Sequence, residues 1–257
     1  MKQLQEELKR DAEYLKSILS GEEDIYFLRS HGNMGDELIY TGSRELFKEI
    51  KIKYKEDTIT NAISTNLSGE VALISGGGAW NRTWEDFMTT NIPYIANNFK
   101  HVIVLPSSFQ MSAKIFDTLQ IKNIQFMARE EESFNLIKNF CDAKLAHDHA
   151  FYFDFSPYII EVAEELLLNA YRTDRERAGN EIPINNIDIS ALPLHPTQLY
   201  IWLLILKNHD IINTDRAHVM IAGAMMGKHV YWSESNYHKL RGIASYSLKE
   251  FKNVREK

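Results

Sequence analysis

The sequence predicts an α/β protein made of two parallel-sheet halves, of which the second is the smaller. A unit of apolar strand, polar loop and helix recurs four times before residue 145. The composition changes after Phe155, and four of the six prolines fall between Pro157 and Pro196. Seven of the twelve glycines lie between Gly32 and Gly78, at the ends of two early strands. In an α/β sheet, that edge is where ligands bind.

Composition narrows the class of protein further. With 257 residues, 44% of them hydrophobic, the chain is long enough for a large core. A net charge of −6 argues against a nucleic-acid partner, because nucleic acids need a basic surface. The single cysteine, Cys141, excludes an intrachain disulfide and a multi-cysteine metal site. Residues 2–19 have the pattern of an amphipathic helix and not of a signal peptide, and no apolar run approaches the ~18 residues of a membrane span. The cytoplasm is the expected compartment.

The first strand, loop and helix set the pattern for the others. Ile25 to Leu28 forms a short apolar run that predicts a buried strand, and a glycine-bearing turn follows from His31 to Asp36. Glycines beside an Asn let backbone N–H groups point to one spot ahead of a helix, which suits a phosphate or carboxylate. The turn matches neither the dinucleotide fingerprint nor the Walker pattern. An anionic ligand is therefore expected here, without an indication of a nucleotide.

The other elements follow from their spacing. In the first half we predict a helix over 39–50, an edge strand over 51–54, strands over 71–74, 101–105 and 124–128, polar loops over 75–80, 106–110 and 129–133, and helices over 84–99 and 134–140. In the second half we predict strands over 165–171, 210–213 and 228–232, a long connection over 179–196, and helices over 197–208 and 214–226. The predicted domains are residues 1–150 and 151–257.

Eight segments, in order, resemble the polysaccharide pyruvyl transferase family. They are GNMGDE (32–37), SGGGAW (75–80), LPSSFQ (105–110), AREEESF (128–134), DHA (148–150), RTDRE (172–176), TDRAH (214–218) and SNYHK (235–239). The resemblance spans about residues 25 to 241. It departs from the family pattern in a shorter second half and in Ala217, where a larger apolar residue is usual.

The resemblance implies a fold and a reaction. The fold would be glycosyltransferase-B-like, with two Rossmann-like halves facing across a cleft and the second half reduced. The reaction would move an enolpyruvyl group from phosphoenolpyruvate to a sugar of an exopolysaccharide or cell-wall glycan precursor, forming a pyruvate ketal. Phosphoenolpyruvate would be a donor substrate, with no cofactor and no metal. A sugar or lipid-linked glycan acceptor, a homo-oligomer and a place at the inner face of the membrane beside polysaccharide-assembly enzymes are compatible with this reaction.

By the same resemblance, Asp36 and His218 are the candidate catalytic residues. The candidate substrate-binding residues are Asn33, Gly35, Gly76, Gly77, Gly78, Ser107, Ser108, Arg129, Arg216 and Lys239. Each also has an ordinary structural interpretation. Asp36 stabilises a helix start in that interpretation, and His218 is a structural histidine.

The chemistry of these residue types suits the donor. Phosphoenolpyruvate carries a carboxylate and a phosphate, and guanidinium groups bind such oxyanions in a fixed geometry. Arg129 and Arg216 each follow a predicted strand, one in each half. Their structural interpretation is an ion pair with the neighbouring Glu130 or Asp215.

Aromatic and histidine residues give weaker indications. Tyr40, Trp80 and Trp84 are candidates for stacking on a sugar face, although buried aromatics are commoner. The run His147-Asp148-His149 has the composition of a metal site. Neighbouring residues on a strand point to opposite faces, so a shared ion is not expected.

Two other functions stay open at this point. The main alternative is a nucleotide-sugar-dependent glycosyltransferase of the same two-half architecture, which also binds phosphates at strand ends. The other is a non-catalytic relative that binds a phosphorylated ligand or a partner protein. The presence of Asp36, Arg129, Arg216 and His218 argues against the non-catalytic relative.

Overall fold

The computed structural model describes residues 2–160, 166–179, 181–191 and 195–257. The chain divides into two compact units. The N-terminal unit consists of Lys2–His31 and Ser43–His149, and the C-terminal unit of Gly32–Gly42 and Ala150–Lys257. By its contacts, the segment Gly32–Gly42 therefore groups with the C-terminal unit. The predicted domain limits, 1–150 and 151–257, stay a prediction.

The N-terminal unit is built on a parallel sheet. Its strands among the described residues are β1 (Ile25–Arg29), β2 (Lys55–Thr58), β3 (Gly69–Ile74), β4 (Gly77–Trp80), β5 (Phe99–Phe109), β6 (Ile124–Ala128) and β7 (Asp142–Leu145). The order across the sheet is β2-β1-β3-β5-β6-β7, with β4 paired to the end of β5. Strands β3 and β5 lie in the middle and are rich in buried Val, Ile and Leu, as expected for a parallel sheet covered on both faces.

Helices connect these strands. They are α1 (Lys2–Ile18), α2 (Met34–Glu49), α3 (Ile59–Ser64), α4 (Glu85–Asn98), α5 (Ala113–Leu119) and α6 (Glu131–Ile137). Helix α1 buries Leu4, Leu8, Ala12 and Leu15, which the helical repeat places on one face, while its other face carries charges. This confirms the predicted amphipathic helix.

The C-terminal unit has a second parallel sheet. Its described strands are β8 (Leu167–Ala170), β9 (Ile211–Thr214), β10 (His229–Trp232) and β11 (Val254–Glu256), adjacent in that order, and its helices are α7 (Pro196–Lys207), α8 (Ala217–Met225) and α9 (Lys239–Tyr246). Most of α8 is buried, from Val219 to Ala224 without interruption. The two parallel sheets confirm the predicted mixed α/β class. The glycosyltransferase-B-like arrangement stays a prediction.

Three local predictions were wrong or incomplete. The edge strand expected over 51–54 begins four residues later, because Lys51 adopts a left-handed conformation (φ 62°) and Ile52 donates to the carbonyl of Phe47, which closes helix α2. The loops expected over 75–80 and 106–110 lie partly in strands β4 and β5. Of the strand expected over 165–171, residue 165 lies outside the described residues.

In the described part of the chain, no helix has the length and apolarity to cross a membrane.

Candidate functional site

In the C-terminal unit, the side chains of Asn33 and Asp36 cap the start of helix α2. The Asn33 carboxamide Oδ1 accepts a hydrogen bond from the Gly35 N–H at 2.8 Å. The Asp36 carboxylate Oδ2 accepts one from the Asn33 N–H at 2.7 Å. This is the geometry of a capping box, in which the third helical residue reaches back to the cap. Asp36 thus has the structural role expected for it, and it is still half-exposed.

Gly35 lies against the imidazole of His218. A Cβ atom placed on Gly35 would be 2.5 Å from His218 Nδ1 and 3.1 Å from Asn33 Oδ1, so only glycine fits here without displacing the ring. His218 is the second residue of helix α8. The starts of two helices, α2 and α8, therefore meet at this imidazole, and backbone N–H groups at helix starts favour anions.

Arg216, which precedes α8, is held by two carboxylates. Its Nε and Nη2 donate to the two Asp188 oxygens at 3.0 and 2.5 Å, and its Nη1 lies 2.9 Å from Asp174 Oδ2. The adjacent Asp215 instead accepts a hydrogen bond from the Arg172 N–H at 2.7 Å. A guanidinium has five N–H donors, so with the described residues alone as partners each Nη nitrogen keeps one donor for a further anion.

The ion pairs of Arg216 continue to Lys239. Arg172 contacts Asp174 at 2.9 Å and also pairs with Glu176, which accepts from Lys239 Nζ as well. Burial alone would lower the pKa of Arg172, but the carboxylates of Glu176 and Asp174 outweigh it and raise that pKa. Likewise, burial raises the pKa of Asp174 less than its two arginine neighbours lower it. Lys239 is therefore fixed in a charged network that includes Arg216.

In the N-terminal unit, the glycines of residues 75–80 let the backbone after β3 approach the backbone of β5 closely. A Cβ atom on Gly76 would be 2.4 Å from the carbonyl oxygen of Pro106. Gly77 has a φ of 132°, which favours glycine, and pairs with Ser107 in the sheet. The Ser107 hydroxyl donates to the Leu105 carbonyl at 2.8 Å. These residues lie at the carboxyl-terminal ends of β3 and β5, where β4 begins.

Arg129 follows β6 at the same edge of the sheet. Its Nη1 donates to Asp148 Oδ2 at 2.7 Å and its Nε donates to the Ser108 hydroxyl at 2.8 Å. The side chains of Arg129 and Asp148 are 1% and 0% exposed. A buried charge requires such a partner, so Asp148 and Ser108 fix the guanidinium in place.

Exposure separates the three aromatic candidates. Tyr40 and Trp80 are buried, at 0% and 1% exposure, and Trp80 packs on the rings of Phe109 and Phe126. Trp84 is 44% exposed at the start of α4. Of the three, only Trp84 presents a large part of its ring to solvent.

The side chains of His147, Asp148 and His149 contact different partners and do not converge on one point. His147 Nε2 lies 3.1 Å from Glu7 of helix α1, while Asp148 pairs with Arg129. His149 Nδ1 lies 2.9 Å from the Ser43 hydroxyl, and complete burial lowers the pKa of His149 to about 4, so the ring is neutral. Throughout the described ranges there is no group of three His, Cys, Asp or Glu residues that suits a metal ion.

The carboxyl group of Asp11, on helix α1, predicts how the stability of the fold depends on pH. Burial raises its pKa from 3.8 to about 6, and its carboxylate accepts from the His147 N–H at 2.8 Å. Between pH 4 and 6 the folded protein keeps a proton that the unfolded chain has lost, so this group makes stability fall as pH rises. Asp11→Asn keeps the acceptor and cannot ionise. Its free energy of unfolding relative to wild type should rise by up to about 3 kcal/mol from pH 4 to 7 in urea titrations. If the difference in free energy of unfolding between Asp11→Asn and wild type stayed constant across that range, the pKa of Asp11 would not be raised in the folded protein.

Each unit gathers part of the predicted set of site residues. Asn33, Gly35, Asp36, Arg216, His218 and Lys239 lie in the C-terminal unit, and Gly76, Gly77, Gly78, Ser107, Ser108 and Arg129 lie in the N-terminal unit. Sequence reasoning missed Asp188, which lies in the proline-interrupted connection and pairs with Arg216. No spacing pattern in the sequence marks that partner.

Comparisons with known proteins give one family and one fold. The family model described as polysaccharide pyruvyl transferase matches residues 33–237. A search of curated proteins gives no match. Among solved structures, the chain is similar to a functionally uncharacterized protein from Klebsiella pneumoniae subsp. pneumoniae, with 23% identity, a TM-score of 0.78, and coverage of 97% of this chain and 98% of that chain. At that identity, the structural match shows the fold alone.

Proposed function

Since this chain belongs to the polysaccharide pyruvyl transferase family, we propose that it moves an enolpyruvyl group from phosphoenolpyruvate to two hydroxyls of a sugar in an exopolysaccharide or cell-wall glycan precursor. The product is a cyclic pyruvate ketal. The family match over residues 33–237 is the observation that carries the proposal, because it covers both units. The comparisons give no support to the nucleotide-sugar-dependent glycosyltransferase.

The reaction needs proton transfer at two places. A proton must add to the methylene carbon of phosphoenolpyruvate, which becomes the methyl group of the ketal. One sugar hydroxyl attacks the resulting cationic carbon, inorganic phosphate leaves, and the second hydroxyl then closes the ring. The two hydroxyl protons balance the one gained by carbon and the one taken by phosphate. An acid and a base beside the pyruvyl carbon are therefore required.

Asp36 and His218 are our candidates for this pair. Both are half-exposed, and both belong to the C-terminal unit, where Gly35 separates the Asp36 turn from the imidazole. The capping hydrogen bond to Asp36 Oδ2 fixes the orientation of the carboxylate. In our proposal, His218 exchanges a proton with the donor, and Asp36 orients or deprotonates an acceptor hydroxyl.

The donor's anionic groups have matching partners in the same unit. The positive dipole ends of α2 and α8 meet at His218 and favour a phosphate there, while the Asn33 and Gly35 N–H groups stay bonded to the capping side chains. Arg216 contributes its remaining donors, and Asp188 and Asp174 hold its plane in one orientation. This arrangement supports the assignment of Asn33, Gly35 and Arg216 to donor binding in the proposal.

The test uses product formation in wild type and Asp36→Asn. Protein is incubated with isotopically labelled phosphoenolpyruvate and a panel of glycan acceptors, and mass spectrometry detects the labelled ketal while a colorimetric assay follows phosphate. Asn keeps the capping acceptor, so stability should change by less than about 1 kcal/mol while the rate falls by ~10²-fold or more. A variant that loses stability sharply but keeps its rate per folded molecule would show that Asp36 acts only as a cap.

A further inference from the structure

At the carboxyl-terminal edge of the N-terminal unit's sheet, the turn after β4 leads to the exposed aromatic ring of Trp84. After β4, the Asn81 side-chain oxygen Oδ1 accepts from the N–H groups of Thr83 and Trp84 at 2.8 and 3.3 Å. The Asn81 amide Nδ2 donates to the Gly78 carbonyl at 2.6 Å. These bonds hold the backbone of Trp84, the residue directly before α4, and 44% of its surface is exposed.

Two polar residues, Arg82 and Gln110, are joined to each other on the turn that precedes Trp84. The Gln110 carbonyl Oε1 accepts from the Arg82 N–H at 3.3 Å, and the Gln110 N–H donates to the Trp80 carbonyl at 2.8 Å. These bonds join the ends of β4 and β5. Within the part of the chain that the structure describes, the Arg82 guanidinium and the Gln110 amide Nε2 make no side-chain hydrogen bond or ion pair, so both are donors available to a ligand.

We propose that Trp84, Arg82 and Gln110 form a subsite for the acceptor sugar. A pyranose ring has an apolar face of C–H groups that packs on an indole, and equatorial hydroxyls that accept hydrogen bonds from amide and guanidinium groups. The subsite lies beyond the paired ends of β4 and β5, at Trp80 and Phe109, on the side of the sheet where ligands of parallel α/β sheets bind. The inference rests on the proposed function, since it assigns the sugar that receives the pyruvyl group.

The test measures sugar binding separately from donor binding. Saturation-transfer NMR is recorded with methyl glycosides of glucose, galactose, mannose and N-acetylmannosamine as probes, on wild type, Trp84→Ala, Trp84→Phe and Phe140→Ala. Phe140 is the matched control because it is also 44% exposed and follows helix α6. The melting shift caused by phosphoenolpyruvate is measured for each protein.

We expect wild type to transfer saturation to the C–H face of at least one glycoside. Trp84→Ala should lose at least four-fifths of that signal, roughly a fivefold loss for one stacking contact. Trp84→Phe and Phe140→Ala should keep most of it, and the phosphoenolpyruvate shift should be the same in all four proteins. A wild type that binds none of the glycosides, or a Trp84→Ala signal equal to that of wild type, would overturn the subsite. The absence of a phosphoenolpyruvate shift in wild type would instead count against the proposed reaction.

Discussion

Replacing Arg129 with alanine is expected to lower the free energy of unfolding by about 3–5 kcal/mol. The variant leaves the Asp148 carboxylate, which is fully buried, without the guanidinium that it faces at 2.7 Å. It also removes the donor to the Ser108 hydroxyl. Since a domain has only about 5–15 kcal/mol of net stability, this loss is a large part of the total.

Urea denaturation measures the effect, with two further variants as controls. Lys114→Ala breaks a pair with Asp86 whose side chains are both largely exposed, and it should leave stability nearly unchanged. Arg129→Met combined with Asp148→Leu should be less destabilised than Arg129→Met alone, because no buried charge is left unpaired. If Arg129→Ala proved as stable as wild type, the buried pair would have no structural role, and Arg129 would be reserved for the ligand.

Gly35→Ala is expected to slow the proposed reaction by ~10²–10⁴-fold, as much as His218→Ala. The added methyl group would lie 2.5 Å from His218 Nδ1, so the imidazole must leave its position. Alanine is the better helix former by about 1 kcal/mol, which offsets part of the steric cost, and the melting temperature should change little. Gly35→Ala should therefore slow the reaction strongly while leaving the melting temperature nearly unchanged.

A double-variant comparison tests the mechanism of this effect. If Gly35→Ala acts by displacing the imidazole, it should cause no further loss in the His218→Ala background, and the two changes would be non-additive. The rates come from phosphate release in the presence of an acceptor. Additive losses would mean that Gly35 contributes to the site independently of His218.

Much of the fold follows from local sequence patterns, because the strands are short apolar runs between polar turns. The strand ends were harder to predict. Strand β5 continues through Ser107 and Ser108, which look like loop residues, because β4 pairs with Ser107 and Phe109 and so extends the sheet here. The conformation at Lys51 likewise depends on how helix α2 ends, which the alternating pattern of the next residues does not reveal.

The candidate residues could be selected from the sequence, but their geometry could not. The glycine turn and the TDRAH segment were both recognisable, yet nothing in either sequence indicates that Gly35 packs on His218. Those residues lie far apart in the chain, and their contact depends on the tertiary fold. The same holds for Asp188, whose pairing with Arg216 depends on the course of a long connection. Sequence adjacency instead suggested Asp215.

The donor is the central claim, and a thermal melt with phosphoenolpyruvate tests it most directly. A ligand that binds only the folded state stabilises it by about 2.7 kcal/mol at a hundredfold excess over its Kd, which corresponds to a shift of roughly 5–10 °C for a chain of this size. We expect phosphoenolpyruvate to cause this shift at constant ionic strength and His218→Ala to reduce it. Uridine and guanosine diphosphates should cause little, because the carboxylate and phosphate together match the proposed partners. A large shift with a nucleotide diphosphate and none with phosphoenolpyruvate would contradict the account.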